Sequence, residues 1–358
     1  MRHSSLKILH IANFKTDNNG LMFYNTDAKI QHGLIELGHY VHAFDYKYMV
    51  RKSNIFNTTS LSHKKTHQQL IELCQNVDFD LILIGHIHLP KELLKQLKAI
   101  NQARVAMWFV DPINEPHRLD HFKEMHSEVD HVFVTTAGQH LQNLSEVCDH
   151  PVFAFTPNLS LHSIEYARED WLKFDYDCIF CGSNSKYPER EQFINHLTEQ
   201  LPEFRFKLGA CLGQPSLFGH EYQVAVRNSL MGINYSKYND IYMYSSDRLA
   251  QLTGMGCLVF TAQTPGLAEL FPEDSVVYFQ DTSDLLEKLK YYQQHPEKAV
   301  EIAQRGYALA HSIFEAKYIL QQWLNLIDQQ PLNSPWQKEI YQQGNRMINL
   351  FSKSLDLL

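Results

Sequence analysis

Short apolar runs alternate along the chain with stretches whose apolar residues recur every three or four positions, a pattern that predicts strands separated by helices and hence parallel α/β architecture. The first series runs LKILHIA (6–12), a helix through AKIQHGLIEL ended by Gly38, and YVHAFDY (40–46). It continues with FDLILIG (79–85), a helix at 91–100, ARVAMWFV (103–110), DHVFVTT (130–136), a helix at 138–148 and PVFAF (151–155). About six strands suffice for a doubly wound sheet. A second series follows the polar, irregular stretch from Pro157 to Trp171, with strands at 176–182, 204–209, 230–235, 256–261 and 275–279 and helices at 188–200, 246–254, 283–294, 296–311 and 314–328. The expected organisation is a Rossmann-like domain over 1–165, a second over 166–330, and a tail over 331–358. In the tail, Ile340, Met347, Ile348, Phe351 and Leu355 mark an amphipathic helix expected to pack back on the first domain.

A length of 358 residues suits two domains, each able to bury a core. No window offers the roughly 18 uninterrupted apolar residues of a membrane span, and MRHSSLKILHIANF reads as a first strand rather than a signal sequence. The expected location is therefore cytoplasmic. The six cysteines lie scattered in apolar stretches, which fits a reducing compartment. Cys178 and Cys181 form a nominal C-x-x-C, but in a strand such positions point to opposite faces and cannot clamp one metal. The formal charge of −8 argues against a nucleic-acid binder. From Tyr46 to Ile71, however, Lys47, Arg51, Lys52, Lys64 and Lys65 occur with no acidic residue, interleaved with Tyr48, Met49, Ile55 and Phe56. That segment is either a solvated basic loop or a contact with an acidic acceptor or with anionic lipid at the inner membrane face.

Nicotinamide chemistry would require G-x-G-x-x-G after the first strand, where the loop ANFKTDNNGLMF has Gly20 alone; no P-loop occurs either. The second half is more informative. Arg248 opens a helix that Gly254-x-Gly256 ends; a buried strand, Pro265-Gly266 and Glu269 follow, then Asp284-Leu285 and Ile302-Ala303-Gln304-Arg305-Gly306. Upstream stand YDCIFCGSNSKYPER, SLMGINYS, LGHYVHAFDY and AMWFVDP. In order and spacing these segments resemble GT-B glycosyltransferases, most closely the spore-maturation-protein (CgeB-like) type related to glycosyl-transferase group 1. The resemblance implies an α/β GT-B fold of two facing Rossmann-like domains and transfer of a sugar from a nucleotide sugar to a hydroxyl of a glycan or lipid-linked glycan, of the cell-surface polysaccharide kind. It also implies no cofactor and no obligate metal. The alternatives are a sugar-nucleotide 2-epimerase on the same fold and a degenerate sugar-nucleotide-binding protein.

A donor diphosphate needs N–H groups and cations. The helix start Tyr244-Ser245-Ser246-Asp247-Arg248 offers free amides and the positive dipole end, with Arg248 the stronger handle; a plain N-cap with a surface arginine is the alternative. Ser183, Lys186 and Arg190, around the turn after Gly182, are further donor-side candidates. The resemblance adds Gly209, Asn234 and Glu269. Group 1 enzymes bracket the helix start with two glutamates, and at those positions this chain has Met243 and Gln251. Gln251 can still accept a hydrogen bond through its amide oxygen, whereas Met243 cannot do the work of a carboxylate. For the base, Asp111 after ARVAMWFV lies at the carboxyl edge of its sheet, a turn with Pro112 being its alternative; His86 and His88 at another strand end share a face, which suits a base at His86 and an acceptor-side clamp at His88. The resemblance also places Asp17, Asn19 and Gly20 of the first loop on the acceptor side.

Overall fold

The computed structural model describes residues 5–54, 59–110, 113–182 and 188–347. The chain divides into two compact units, Met1–Pro157 with Ala316–Leu358, and Asn158–Glu315.

In the first unit the elements are β1 (Lys7–Ala12), α1 (Thr26–Glu36), β2 (Tyr40–Asp45), α2 (Tyr46–Lys52), α3 (Thr59–Asn76), β3 (Leu81–Ile84), α4 (Lys91–Asn101), β4 (Arg104–Phe109), α5 (Pro116–Met125), β5 (His131–Val134), α6 (Gln139–Val147) and β6 (Val152–Phe155). The second unit comprises β7 (Tyr176–Cys181), α7 (Pro188–Gln200), β8 (Phe206–Gly209), α8 (Gly219–Arg227), β9 (Ser229–Asn234), α9 (Asp247–Gly254), β10 (Leu258–Ala262), β11 (Val277–Phe279), α10 (Thr282–Gln294) and α11 (Pro296–Ala310). The chain then returns to the first unit with α12 (Ala316–Ile327), β12 (Ile340–Gln342) and β13 (Asn345–Arg346).

The first sheet has the order β13-β12-β6-β5-β4-β3-β1-β2 and is parallel from β2 through β6. The second, β11-β10-β9-β7-β8, is parallel throughout. Each reverses strand order once, between β1 and β3 and between β7 and β9. At such a reversal the two flanking loops leave in opposite directions and open a crevice at the carboxyl edge, where ligands of open α/β sheets bind. The central strands are buried on both faces, as parallel sheets require: β3 and β10 have no exposed residue. In the second unit Phe180, Met231, Ile233, Leu258 and Phe260 form the centre of the core against Ile194 and Leu197 of α7 and Leu285 and Leu289 of α10.

Three expectations need correction. The chain crosses between units at Pro157/Asn158 and at Glu315/Ala316, not near 165 and 330. The helix α12 completes the first unit: Trp323 stacks on Phe133 at 4.3 Å and donates to Thr156 Oγ1 at 3.0 Å. The tail, as far as it is described, is a hairpin rather than a helix. Gln343 and Gly344 have φ of 49° and 75°, so the two-residue connection between Gln342 and Asn345 has the positive dihedrals of a type I′ turn. β12 adds antiparallel to β6, which gives its backbone the partners a helix would have supplied internally. Met347 follows the hairpin, and Ile348, Phe351 and Leu355 lie outside the described residues. The basic segment is also no loop, since α2 and α3 occupy most of it.

Candidate active site

The second unit's strand reversal brings the end of β7 beside the end of β9, and Arg248 lies across it. Its Nε donates to the Cys181 carbonyl at 2.7 Å and Nη1 to the Tyr235 carbonyl at 3.3 Å, one acceptor from each side of the crevice. The guanidinium lies over the Phe180 ring, 5.0 Å from its centroid. Gly182 makes this position available, because a Cβ there would stand 2.6 Å from Arg248 Nη2. Burial lowers the pKa of Arg248, and the nearby Arg190 lowers it further.

Arg190 itself is 9% exposed and sits in the first turn of α7. Ser183 and Lys186, in the turn that precedes it, lie outside the described residues, as does Asp111.

Ser246 occupies the N-cap position of α9 with extended backbone, yet its side chain does not cap the helix. Its Oγ donates instead to Asn234 Oδ1 at 2.8 Å, while Asn234 Nδ2 donates to Thr261 Oγ1 at 3.0 Å. Ser246 N–H is accepted by Ser236 Oγ at 3.2 Å. The plain N-cap reading therefore fails at its central contact: Ser246 and Asn234 tie the start of α9 to β9 and β10, leaving the helix's amino end without a cap from Ser246. Ser245 joins this framework through its carbonyl, which accepts from Asn158 Nδ2 at 3.0 Å. Tyr244 is buried against Tyr238. Gly209 serves packing, since a Cβ there would meet Cys181 Sγ at 3.0 Å and Leu217 at 3.1 Å.

The two positions that carry glutamate in group 1 enzymes are both turned inward. Met243 is 1% exposed, with left-handed backbone (φ 56°) and its N–H on the Pro265 carbonyl at 2.8 Å. The Gln251 side-chain oxygen accepts from Tyr222 Oη at 2.6 Å and its amide donates to Asp247. Gln251 thus closes a buried network. Glu269 is exposed at the end of its short helix and accepts from Tyr242 Oη at 3.0 Å. Tyr242 in turn covers Gly266, where a Cβ would lie 2.3 Å from its ring. The six cysteines are free, and burial pushes the Cys181 and Cys257 thiols up to about 12, so neither offers a thiolate near neutrality.

In the first unit, the loop after β1 and the residues after β3 flank the other strand reversal. Asp17 pairs with Arg51 at 2.6 Å, and Asp45 accepts from Thr16 N–H at 2.9 Å while capping α2 through Tyr48 N–H at 3.2 Å. The first loop is therefore anchored to α2, and Arg51 belongs to that anchor. Asn19 (φ 49°) and Gly20 (φ 82°) form its turn, with open space where a Gly20 Cβ would stand. His86 and His88 lie in the loop after β3 and are both exposed; the His86 ring meets Phe109 edge-on at 5.6 Å, and His88 pairs with Glu124 at 3.2 Å.

The structure thus gathers Arg248, Arg190, Ser246, Asn234 and Gln251 around one helix start and one strand reversal. Sequence reasoning missed Gly182 and Phe180, which seat the guanidinium, and Tyr222 and Tyr242, which engage Gln251 and Glu269. The glycine directly after a strand was a signal for Gly182; nothing in the spacing indicates the two tyrosines.

The profile of the family described as Glycosyl transferase-like matches residues 190–325. No curated protein matches the chain. Among solved structures, an α-glucosyltransferase in complex with UDP-glucose and abasic-site DNA superposes with a TM-score of 0.63 at 13% identity, covering 91% of this chain and 100% of that one. Sucrose-phosphate synthase from Thermosynechococcus elongatus gives 0.57 at 13% identity, over 90% and 98% of the two chains. HepE from Anabaena, in complex with UDP and glucose, gives 0.53 at 11% identity, over 90% and 99%. The fold is GT-B, and a Glycosyl transferase-like domain occupies residues 190–325. No helix among the described residues is long and apolar enough to cross a membrane.

Proposed function

We propose that this chain transfers a sugar from a nucleoside-diphosphate donor to a hydroxyl of a glycan or lipid-linked glycan, without an obligate metal. The single observation behind this reading is Arg248 seated across the β7/β9 reversal with Arg190 close by. A charge-assisted Arg–phosphate hydrogen bond contributes about 1.5–3 kcal/mol, against about 0.3–1 kcal/mol from a helix amino end. The cations therefore dominate, and they take the charge-neutralising role that a metal would otherwise fill for the leaving diphosphate. The complexes of the two relatives with UDP-glucose, and with UDP and glucose, support a uridine donor. The inward-turned Met243 and Gln251 set the chain apart from group 1 enzymes in the residues expected to meet the donor. On the acceptor side, His86 at the carboxyl edge of β3 is the described candidate for the base. Lys47, Lys52, Lys64 and Lys65, on α2 and α3, form the surface proposed for anionic lipid, with Arg51 engaged by Asp17.

A thermal-shift panel of nucleoside mono- and diphosphates and their sugars tests the reading, because a ligand that binds the folded state raises its melting temperature by mass action. A diphosphate hit that survives EDTA and disappears in Arg248→Ala is expected. No hit with any diphosphate, or an absolute need for Mg²⁺ or Mn²⁺, would overturn it. Formation of an epimer from the donor alone, read by NMR, would replace transfer with epimerisation.

A further inference from the structure

The carboxyl end of α9 is held by a histidine set between two acceptors. His311, directly after α11, presents Nε2 to the Gly254 carbonyl at 2.9 Å and Nδ1 to Glu315 Oε2 at 3.0 Å. A neutral imidazole carries only one N–H, so both contacts are hydrogen bonds only when the ring is an imidazolium.

The surroundings favour that cation. Glu315 is 4% exposed, and its other oxygen accepts from the His162 backbone N–H at 3.1 Å and lies 2.9 Å from His162 Nδ1. Glu165, whose carboxylate receives Leu161 N–H at 2.9 Å, adds a second negative charge facing His311. The Tyr307 ring lies 4.4 Å from it, and α9 contributes the Gly254 carbonyl. A cation at a helix carboxyl end also meets the negative end of the dipole. The hydroxyls on the Ala250 carbonyl, Ser160 Oγ at 3.3 Å and Thr253 Oγ1 at 3.1 Å, do not titrate near neutrality. Gly254 allows the close approach: a Cβ there would lie 3.2 Å from both Glu165 Cβ and Ser160 Oγ.

The helix α9 spans eight residues, so it moves as one short rod. Its amino end bears Arg248, and its carboxyl end is the turn that His311 grips. We propose that His311 is a positioning residue for the donor: as an imidazolium clamped between Glu315 and Gly254 it sets the seat of α9 and so the placement of Arg248 across the strand reversal. The inference rests on the donor-site reading above. When His311 loses its proton, one of the two hydrogen bonds must break, the clamp loosens, and the diphosphate is held less well. The group transferred and the chemical step are untouched, so donor KM responds and kcat does not.

The test is calorimetric titration of the full chain with UDP, or with GDP or ADP if one of these gives the larger thermal shift, between about pH 6 and pH 9. Wild-type affinity is expected to fall about fivefold as the pH rises through the His311 ionisation. His311→Gln is expected to show the weaker affinity throughout, with no step of its own beyond the ligand's phosphate ionisation, which both proteins share. Parallel profiles for wild type and H311Q would overturn the inference while leaving the donor site intact. Absence of binding by the wild type at every pH would instead overturn both. Should H311Q fail to fold by circular dichroism, Glu315→Gln decides. Removing the carboxylate charge is expected to move the wild-type step about one unit toward acid, and an unmoved step would refute the clamp.

Discussion

Gly182→Ala isolates the placement of Arg248 from its chemistry. The backbone at Gly182 is not left-handed, so alanine meets no strain there, but its Cβ would stand 2.6 Å from Arg248 Nη2 and 3.2 Å from Phe180 Cζ. To regain an ordinary contact of 3.4 Å the guanidinium must retreat by about 0.8 Å, the difference between the two distances. Such a retreat disturbs the 2.7 Å bond from Nε to the Cys181 carbonyl. Because the displaced atom is the far end of a flexible side chain, the expected loss of fold stability is within about 1 kcal/mol. The donor pays the larger part: a misplacement on the order of 1 Å at a positioning group costs up to about 10²-fold, so donor affinity and kcat/KM should fall about ten- to hundredfold. Calorimetry with the diphosphate identified by the thermal-shift panel, beside thermal melts, reads both quantities. The double variant with Arg248→Ala should bind no worse than R248A alone, since both changes act on one contact. If G182A binds within about twofold of wild type, Arg248 does not hold the donor in this seat and the site has been misassigned.

Other outcomes follow from separate features. Arg248→Lys keeps the charge but cannot reach both carbonyls and a phosphate together, so it should recover less than half of the binding energy lost in R248A, measured in the same titration. Melting temperature against pH should reveal the His311–Glu315 pair. Burial opposes the charge on His311, but the bonds to Glu315 and Gly254 outweigh it and raise its pKa, so its stabilisation is complete below about 6.5 and lost as pH rises through the folded-state value. Burial likewise opposes the Glu315 carboxylate, while bonds from His311 and His162 lower its pKa, so its share is present above about 4.5 and lost as pH falls. The pair therefore contributes most between these values, and a wild-type minus E315Q difference that stays flat from about pH 3 to about pH 9 would contradict this. In the first unit, Trp323→Ala removes the stack on Phe133 and the bond to Thr156 and should cost about 3–5 kcal/mol in denaturant unfolding; a loss under about 1 kcal/mol would mean that α12 is peripheral to that unit.

The alternating strands and helices were legible because parallel strands buried on both faces read as unbroken apolar runs. What escaped had no apolar period to offer. The inner face of α3 is Ser62, Thr66, Leu70 and Cys74, all at most 1% exposed, and its first two turns carry hydroxyls there, with Thr66 Oγ1 satisfied by the Ser62 carbonyl at 2.9 Å. The tail presents apolar residues at helical spacing, yet Gln343-Gly344 makes a turn and the edge of β6 supplies a ladder; edge pairing is a property of the sheet, not of the segment. At the site, the helix start, Arg248 and Arg190 were visible, while the closure of Gln251 depends on Tyr222, 29 residues upstream. The Asp17–Arg51 anchor, which converts an apparent membrane cation into a loop support, joins residues on different elements that no local pattern links.

Because the chain leaves the first unit at Pro157 and returns at Ala316, synthesis imposes an order on folding. The segment through β6 emerges first but must wait for α12, whose Trp323 fills the space beside Phe133, and for β12, which covers the open edge of β6. The second unit is contiguous and can close as soon as Glu315 is clear of the ribosome. The usual N-terminal-first sequence of domain folding is therefore expected to be inverted here, with the nascent first unit carrying an unpaired strand edge, a feature exposed to aggregation, during that interval. Truncation before Ala316 should leave the second unit able to fold and the first prone to aggregate, a difference that limited proteolysis of ribosome-bound chains would register.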